Sequence, residues 1–192
     1  MSKAPKPDLF EIVKARLSGV RALLDDMDEA AAEKLVRMIL DAGCIFVTGK
    51  GRSGYIASSF AMRLMQMGFV AHVPGEATCP RIGSEDLMIA VSCSGTTVTT
   101  VEMARIARES GAQIAAVTAV ADSPLADAAH HLVLVPVTER DVKKRYRYVL
   151  GPHNNTLFEE AMLLYFDALV YAMLGREGIP QKQLDERHTN LQ

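Results

Sequence analysis

The sequence predicts an α/β domain in which five parallel strands are covered by helices on both faces. Short apolar runs recur along the chain, segments with helical periodicity separate them, and glycines stand at many of the junctions. Alternation of strands with helices is typical of parallel sheets, and strands buried on both faces read as nearly continuous apolar runs. We therefore expect a three-layer αβα sandwich with a five-stranded parallel sheet, preceded by N-terminal helices.

Two helices are expected before the first strand. Apolar residues recur there at helical spacing, namely Leu9, Ile12, Val13, Leu17, Val20 and Leu24. Asp28 is placed to cap a second helix, which runs to Asp41 and stops at Gly43.

The strands and the helices that follow them can then be assigned in order. The predicted strands are 44–48, 69–73, 87–91, 113–118 and 131–135. Helices are expected at 53–67 before Gly68, at 97–110 before Gly111, from Ser123-Pro124, and at 156–174. The last of these is apolar around most of its circumference, so we expect it to be buried, against the domain or against another subunit.

The length of 192 residues fits a single domain. We divide it into a helical segment (1–43), a sheet-and-helix core (44–174) and a C-terminal tail (175–192). The segment 136–155 is rich in charged residues, and we expect it to be mobile or to form an oligomer contact.

Composition excludes several classes of function. The net charge of -2 gives no reason to expect binding to nucleic acid, which usually requires a basic surface. The three cysteines, Cys44, Cys79 and Cys93, have neither the number nor the spacing of a disulfide framework or a zinc site. The first seven residues are polar and contain no apolar core, so we expect no signal peptide, and the longest apolar stretch is too short to span a bilayer. We expect a cytoplasmic protein without a metal.

A glycine-rich loop, Gly49-Lys50-Gly51-Arg52-Ser53-Gly54, joins the first predicted strand to a helix. Glycines let the backbone approach a ligand, and a helix N-terminus offers N–H groups to an anion. The loop also matches the dinucleotide pattern GxGxxG, for which Glu76 is the available ribose anchor, but it lacks the ending of a Walker A loop. A simple tight turn is the structural alternative.

A second loop, Ser92-Cys93-Ser94-Gly95-Thr96-Thr97, follows the third predicted strand and also enters a helix. Four hydroxyls and a glycine at a helix N-terminus suit a phosphate group, whereas one hydroxyl would be enough for capping. In parallel sheets ligands bind at the carboxyl ends of the strands. Two such loops on different strands therefore favour a ligand whose phosphate group both loops can bind. A dinucleotide is less favoured, because it would leave the second loop unexplained.

Candidate catalytic groups are few. Glu159 lies in the first turn of the last large helix beside apolar residues, where it is either a general base or a residue that stabilises the helix dipole. His188 lies in a polar tail and is either solvated or functional. Cys93 has no base that the sequence can place beside it, and His130 and His131 are expected to have no ligand role.

These motifs resemble a known family. TGKGRSG (48–54) and SCSGTT (92–97), with the strand–helix alternation, look like the SIS (sugar isomerase) domain. More narrowly, the chain resembles the 6-phospho-3-hexuloisomerases along nearly its whole length. The matching pieces are GRSG (51–54), FAMRLMQMGF (60–69), GEATCPRIG (75–83), TLFEEA (156–161), FDALV (166–170) and ERHTNLQ (186–192). The chain departs from the usual SGSGET loop at Cys93 and Thr96, and has 153–155 where the family carries a Pro-Leu-Gly-like stretch.

The resemblance implies a flavodoxin-like fold, a homotetramer with sites at subunit boundaries, and no cofactor. It implies interconversion of D-arabino-hex-3-ulose 6-phosphate and D-fructose 6-phosphate in the ribulose monophosphate pathway of formaldehyde fixation. Glu159 would be the base, and His188 would assist from a neighbouring subunit. The substrate-binding residues would be Gly51, Arg52, Ser53, Ser92, Cys93, Ser94, Gly95, Thr96 and Thr97.

Two alternatives stay open beside this interpretation. One is an isomerase of another phosphosugar, of the arabinose 5-phosphate type. The other is a non-catalytic phosphosugar-binding protein, because SIS domains also serve in regulators. The expected partners are a phosphorylated ketose and further copies of the chain, with neither nucleic acid nor membrane.

Overall fold

The computed structural model describes residues 8–137 and 156–190. Its strands are β1 (Ile45–Gly49), β2 (Ala71–His72), β3 (Leu87–Val91), β4 (Gln113–Thr118) and β5 (His131–Leu134). Its helices are α1 (Leu9–Asp25), α2 (Glu29–Asp41), α3 (Arg52–Met67), α4 (Val98–Glu109), α5 (Pro124–Ala128), α6 (Thr156–Glu177) and α7 (Gln181–Arg187). The strands form one sheet in the order β2-β1-β3-β4-β5, and all neighbouring pairs are parallel. The predicted α/β class is confirmed.

Helices cover both faces of the sheet because successive strand residues point in opposite directions. In β1, Ile45 and Val47 belong to an apolar cluster with α2, α3 and α6, whereas Phe46 belongs to a second cluster with α4 and α5. The α6 helix is buried on much of its surface, and Phe166 stacks on Phe60 of α3 with ring centroids 4.3 Å apart. Tyr171 of α6 remains 73% exposed.

Several helix ends follow the expected capping chemistry. The Asp28 carboxylate accepts a hydrogen bond from the backbone N–H of Ala30 and so caps α2. Ser123 caps α5 in the same way, with Pro124 in the first turn. The α3 helix ends at Gly68, as predicted.

Three segments differ in extent from the sequence prediction. The β2 strand has two residues rather than five, because only Ala71 and His72 pair with β1. The α6 helix continues three residues further than expected, to Glu177. The segment 175–192, expected to be a tail, contains the helix α7, which buries Leu184 and packs on α3. Most of the charged segment 136–155 lies outside the described residues, as does the stretch 153–155.

Within the described ranges, the chain has no helix that is both long enough and apolar enough to cross a bilayer.

Candidate active site

The two predicted ligand-binding loops lie side by side at the carboxyl ends of the strands. The β1 and β3 strands are neighbours, and Gly49 at the end of β1 is in register with Val91 at the end of β3. Strands in a sheet are about 4.8 Å apart. The loops that lead into α3 and α4 therefore start next to each other, although about 40 residues separate them in the chain.

The first loop brings the backbone of β1 very close to the start of α3. A Cβ atom on Gly54 would come within 2.9 Å of the Gly49 carbonyl oxygen, and one on Gly49 would come within 2.8 Å of the Ser53 carbonyl oxygen. Gly51 precedes the helix with φ +60, a conformation that residues with a side chain rarely adopt. These contacts require glycine and fix where Arg52 and Ser53 lie.

The second loop gathers hydroxyl groups at the start of α4. The Ser92 and Thr97 hydroxyl oxygens are 2.9 Å apart, and those of Ser94 and Thr96 are 3.0 Å apart. The Thr97 side chain caps no helical N–H. The first N–H groups of a helix have no intrahelical acceptor, so this end of α4 can donate hydrogen bonds to an anion.

The end of β4 and the turn that follows it pack against the second loop. Gly95 has φ +63, and a Cβ atom there would lie 2.2 Å from Ser123 Oγ and 3.0 Å from Thr118 Oγ1. The Cys93 carbonyl accepts hydrogen bonds from the Ala119 N–H at 3.0 Å and from the Thr118 hydroxyl at 3.3 Å. The sequence predicted Ser123 only as the start of a helix, and it did not predict Thr118 or Ser123 as part of the site. The signal that could have found them is their position at and after the carboxyl end of β4, where the loops that follow β1 and β3 also lie.

Glu159 lies in the first turn of α6 and is only 7% exposed. Its Oε1 accepts a hydrogen bond of 3.0 Å from the Ser53 hydroxyl, and its Oε2 lies 3.9 Å from Arg52 Nε. Oε2 has no hydrogen-bond partner among the described residues. The structure therefore brings together three predicted site residues from two helices.

The environment of Glu159 favours proton exchange. Burial raises the pKa of this carboxyl group above its usual range. The hydrogen bond from Ser53, the backbone N–H of Glu159 itself and the charge of Arg52 oppose the rise. A carboxyl group whose pKa is raised, with one oxygen held and one oxygen without a hydrogen-bond partner among the described residues, is suited to removing and returning a proton.

His188 lies far from Glu159 within one chain. It follows α7, is exposed, and makes a contact of 3.2 Å between Nδ1 and the Thr189 carbonyl. The α7 helix packs at the far end of α3, where the Gln183 amide donates a hydrogen bond of 2.7 Å to the Met67 carbonyl. Because α3 has 16 residues, its two ends are about 24 Å apart. The contribution expected from another subunit stays a prediction.

A further ion pair supports the start of α6. Arg16 of α1 contacts Glu160 with an Nη2–Oε1 distance of 2.6 Å, and it also donates a hydrogen bond to the Thr156 hydroxyl. These residues are about 140 positions apart, so no local pattern in the sequence could have paired them. The contact attaches α1 to the helix turn that carries Glu159.

The other candidates lie apart from these contacts. Glu76 is exposed in the turn after β2, and its backbone N–H donates to the Val73 carbonyl. His130 accepts a hydrogen bond from the Ile114 N–H, and the His131 ring contacts the Ala31 carbonyl, so both have structural roles. Among the described residues there is no group of three or more His, Cys, Asp or Glu side chains arranged to hold a metal ion.

Comparison with known proteins identifies the family. A model of the SIS domain matches residues 38–148. A protein named 3-hexulose-6-phosphate isomerase from Mycobacterium gastri is 34% identical over 183 residues, which cover 95% of this chain and 89% of that protein. A protein of the same name from Bacillus subtilis (strain 168) is 34% identical over 161 residues, which cover 84% of this chain and 86% of that protein.

Solved structures agree with these matches. The crystal structure of a hypothetical protein from Methanococcus jannaschii, from which a molecular function of 3-hexulose-6-phosphate isomerase was inferred, has a TM-score of 0.79 and 29% identity. The match covers 95% of this chain and 98% of that chain. The family resemblance seen in the sequence is thus confirmed, and the chain belongs to the SIS-domain family, among relatives named 3-hexulose-6-phosphate isomerase.

Proposed function

We propose that the chain is a sugar-phosphate isomerase that interconverts D-arabino-hex-3-ulose 6-phosphate and D-fructose 6-phosphate. The observation that carries this proposal is the buried carboxylate of Glu159, whose Oε2 lacks a hydrogen-bond partner among the described residues, at the end of the sheet where the hydroxyl-rich loop leads into α4. The names of two relatives that are 34% identical to this chain support the choice of substrate.

The second loop supplies the groups that a phosphate needs. Hydroxyls of the segment 92–97 and the N–H groups at the start of α4 can donate several hydrogen bonds to phosphate oxygens. In the proposed complex Cys93 and Gly95 contribute backbone rather than side-chain groups. Gly51 and Arg52 of the first loop complete the proposed binding surface, and the guanidinium of Arg52 is exposed enough to reach a bound anion.

The proposed reaction is a proton transfer through an enediol(ate). Glu159 Oε2 removes the proton from C2 of the open-chain 3-ketose, the electron pair forms a C2–C3 double bond, and the C3 carbonyl oxygen becomes an enolate oxygen that takes up a proton. Return of the first proton to C3, with loss of a proton from the C2 hydroxyl, gives the 2-ketose. Atoms and charges balance without a redox cofactor.

Binding of the phosphate would contribute to the rate by holding the reacting carbons at a fixed distance from the base. Effective molarities for well-oriented groups correspond to about 7–11 kcal/mol of the barrier. In this proposal His188 assists ring opening or moves protons between the sugar oxygens. It comes from another copy of the chain, because within one chain it lies at the end of α3 opposite to Ser53 and Glu159.

The test is a comparison of Glu159→Gln with Glu160→Gln. Loss of the general base should lower kcat by about 10²- to 10⁴-fold while binding of a phosphosugar is retained. Glu160→Gln is the matched control, because Glu160 is the next residue of α6 and pairs with Arg16 rather than with Ser53. Near-normal turnover by Glu159→Gln would remove Glu159 from the proposed role.

A panel of phosphorylated ketoses and aldoses separates this proposal from the alternatives. Turnover of arabinose 5-phosphate in place of the hexulose phosphate would identify a different isomerase. Binding of several phosphosugars without turnover of any would indicate a sensor.

A further inference from the structure

Ser53 makes a contact that substrate binding alone does not explain. Its side chain is buried, with 7% of the residue exposed, and its hydroxyl donates a hydrogen bond of 3.0 Å to Glu159 Oε1. A serine hydroxyl has one proton and can donate only one hydrogen bond of full strength. While that proton is directed at Glu159, it is not available to a phosphate oxygen.

The hydrogen bond makes the two carboxylate oxygens different. Oε1 is held by Ser53, whereas Oε2 is buried, has no hydrogen-bond partner among the described residues and lies 3.9 Å from Arg52 Nε, so a proton-donating substrate group that reached it would supply its missing partner. A carboxylate held at one oxygen keeps a defined orientation, and a defined orientation is what proton transfer to a bound substrate requires.

The start of α3 is built so that Ser53 cannot easily move away from Glu159. Gly54, the next residue, is in such close contact with Gly49 that a Cβ atom would come within 2.9 Å of a carbonyl oxygen. A Cβ atom on Gly49 would likewise come within 2.8 Å of the Ser53 carbonyl oxygen. The backbone under Ser53 is therefore fixed by β1, independently of its hydroxyl.

We infer that Ser53 is a positioning residue, which holds Glu159 through Oε1 and so makes Oε2 the oxygen that exchanges the proton with substrate. This inference rests on the proposed function and deepens it. The hydroxyls of the second loop then carry the phosphate, and Ser53 contributes to kcat rather than to KM. The hydrogen bond also stabilises the ionised form of Glu159, which keeps the base available at lower pH.

The experiment compares Ser53→Ala with Ser58→Ala in steady-state kinetics over a range of pH. Ser58 is a matched control, since it lies on the same helix and its hydroxyl donates to the Gly54 carbonyl at 2.9 Å instead of to a carboxylate. For Ser53→Ala we expect kcat to fall about tenfold to a hundredfold, with KM changed less than about threefold. The acid limb of the kcat profile should move to higher pH, and Ser53→Thr should restore it.

The opposite pattern would overturn the inference. A Ser53→Ala variant with a large rise in KM, an unchanged kcat and an unmoved acid limb would make Ser53 a phosphate ligand instead.

A measurement without substrate keeps this result separate from the proposed function. Titration of Glu159, followed by ¹³C NMR in wild type and Ser53→Ala and assigned with Glu159→Gln, should show a higher pKa in the alanine variant. An unchanged titration overturns the inference even if the chain isomerises the hexulose phosphate. A raised pKa in a chain that turns over no phosphosugar leaves the positioning contact intact and refutes the proposed function.

Discussion

Substitution of Gly95 by alanine should strongly destabilise the second loop. The added Cβ would lie 2.2 Å from Ser123 Oγ and 2.5 Å from Ser123 Cβ, at a residue whose φ is +63. A left-handed conformation costs a residue with a side chain about 1–2 kcal/mol, and overpacking in a filled site costs about 1–3 kcal/mol. We therefore expect Gly95→Ala to lower the free energy of unfolding by about 2–5 kcal/mol.

The control is Gly51→Ala, which also replaces a glycine at positive φ but without the collision. Gly51 has φ +60, and beyond its chain neighbours no atom lies within 4 Å of its Cβ position. Its ψ of -134 places it in a region that residues with a side chain rarely occupy, so the substitution should cost about 1–3 kcal/mol, from the backbone alone. Both variants are measured by urea unfolding, followed by circular dichroism at one fixed protein concentration so that any association contributes equally.

A double variant tests whether Ser123 is the residue with which the added Cβ collides. Ser123→Gly removes the two nearest of the three atoms that the new Cβ would meet and leaves only Thr118 Oγ1 at 3.0 Å, and a glycine N-cap costs only a few tenths of a kcal/mol relative to serine. In the Ser123→Gly background, Gly95→Ala should cost less than in the wild-type background, close to the about 1–2 kcal/mol of the backbone conformation alone. An undiminished cost of Gly95→Ala in the Ser123→Gly background would refute the steric argument.

Two further predictions concern residues outside the site. Asp86→Ala removes a carboxylate that accepts hydrogen bonds from the N–H groups of Cys44 at 3.0 Å and Gly83 at 2.7 Å, and should cost about 2–4 kcal/mol in the same unfolding assay. The neighbouring Glu85→Ala should change little, and a similar loss in both would contradict the assignment. Burial lowers the pKa of His131, so below about pH 6.5 the unfolded chain binds a proton that the folded chain resists, and stability falls with falling pH. His131→Gln should show a shallower loss between pH 7.5 and 5.5; an unchanged slope would rule out this contribution.

The order of elements could be predicted because the patterns that produce it are local. Apolar runs such as 87–91 and 113–118 identify buried strands, and capping residues such as Asp28 and Ser123 identify where helices begin. The edge strand β2 was predicted too long, since a strand with one neighbour ends where the pairing ends, and pairing is not visible in the sequence.

The site could be predicted as a set of residues, but their relations could not. The sequence by itself determined a parallel sheet and two loops, 49–54 and 92–97, suited to an anion at helix starts. Only the tertiary structure decided that the Ser53 hydroxyl donates a hydrogen bond to Glu159, 106 residues away, and that Ser123 fills the space beside Gly95. The reason is physical. Hydrophobic periodicity and capping act over a few residues, whereas these contacts depend on how the α3 and α6 helices and the loop after β4 pack around the sheet.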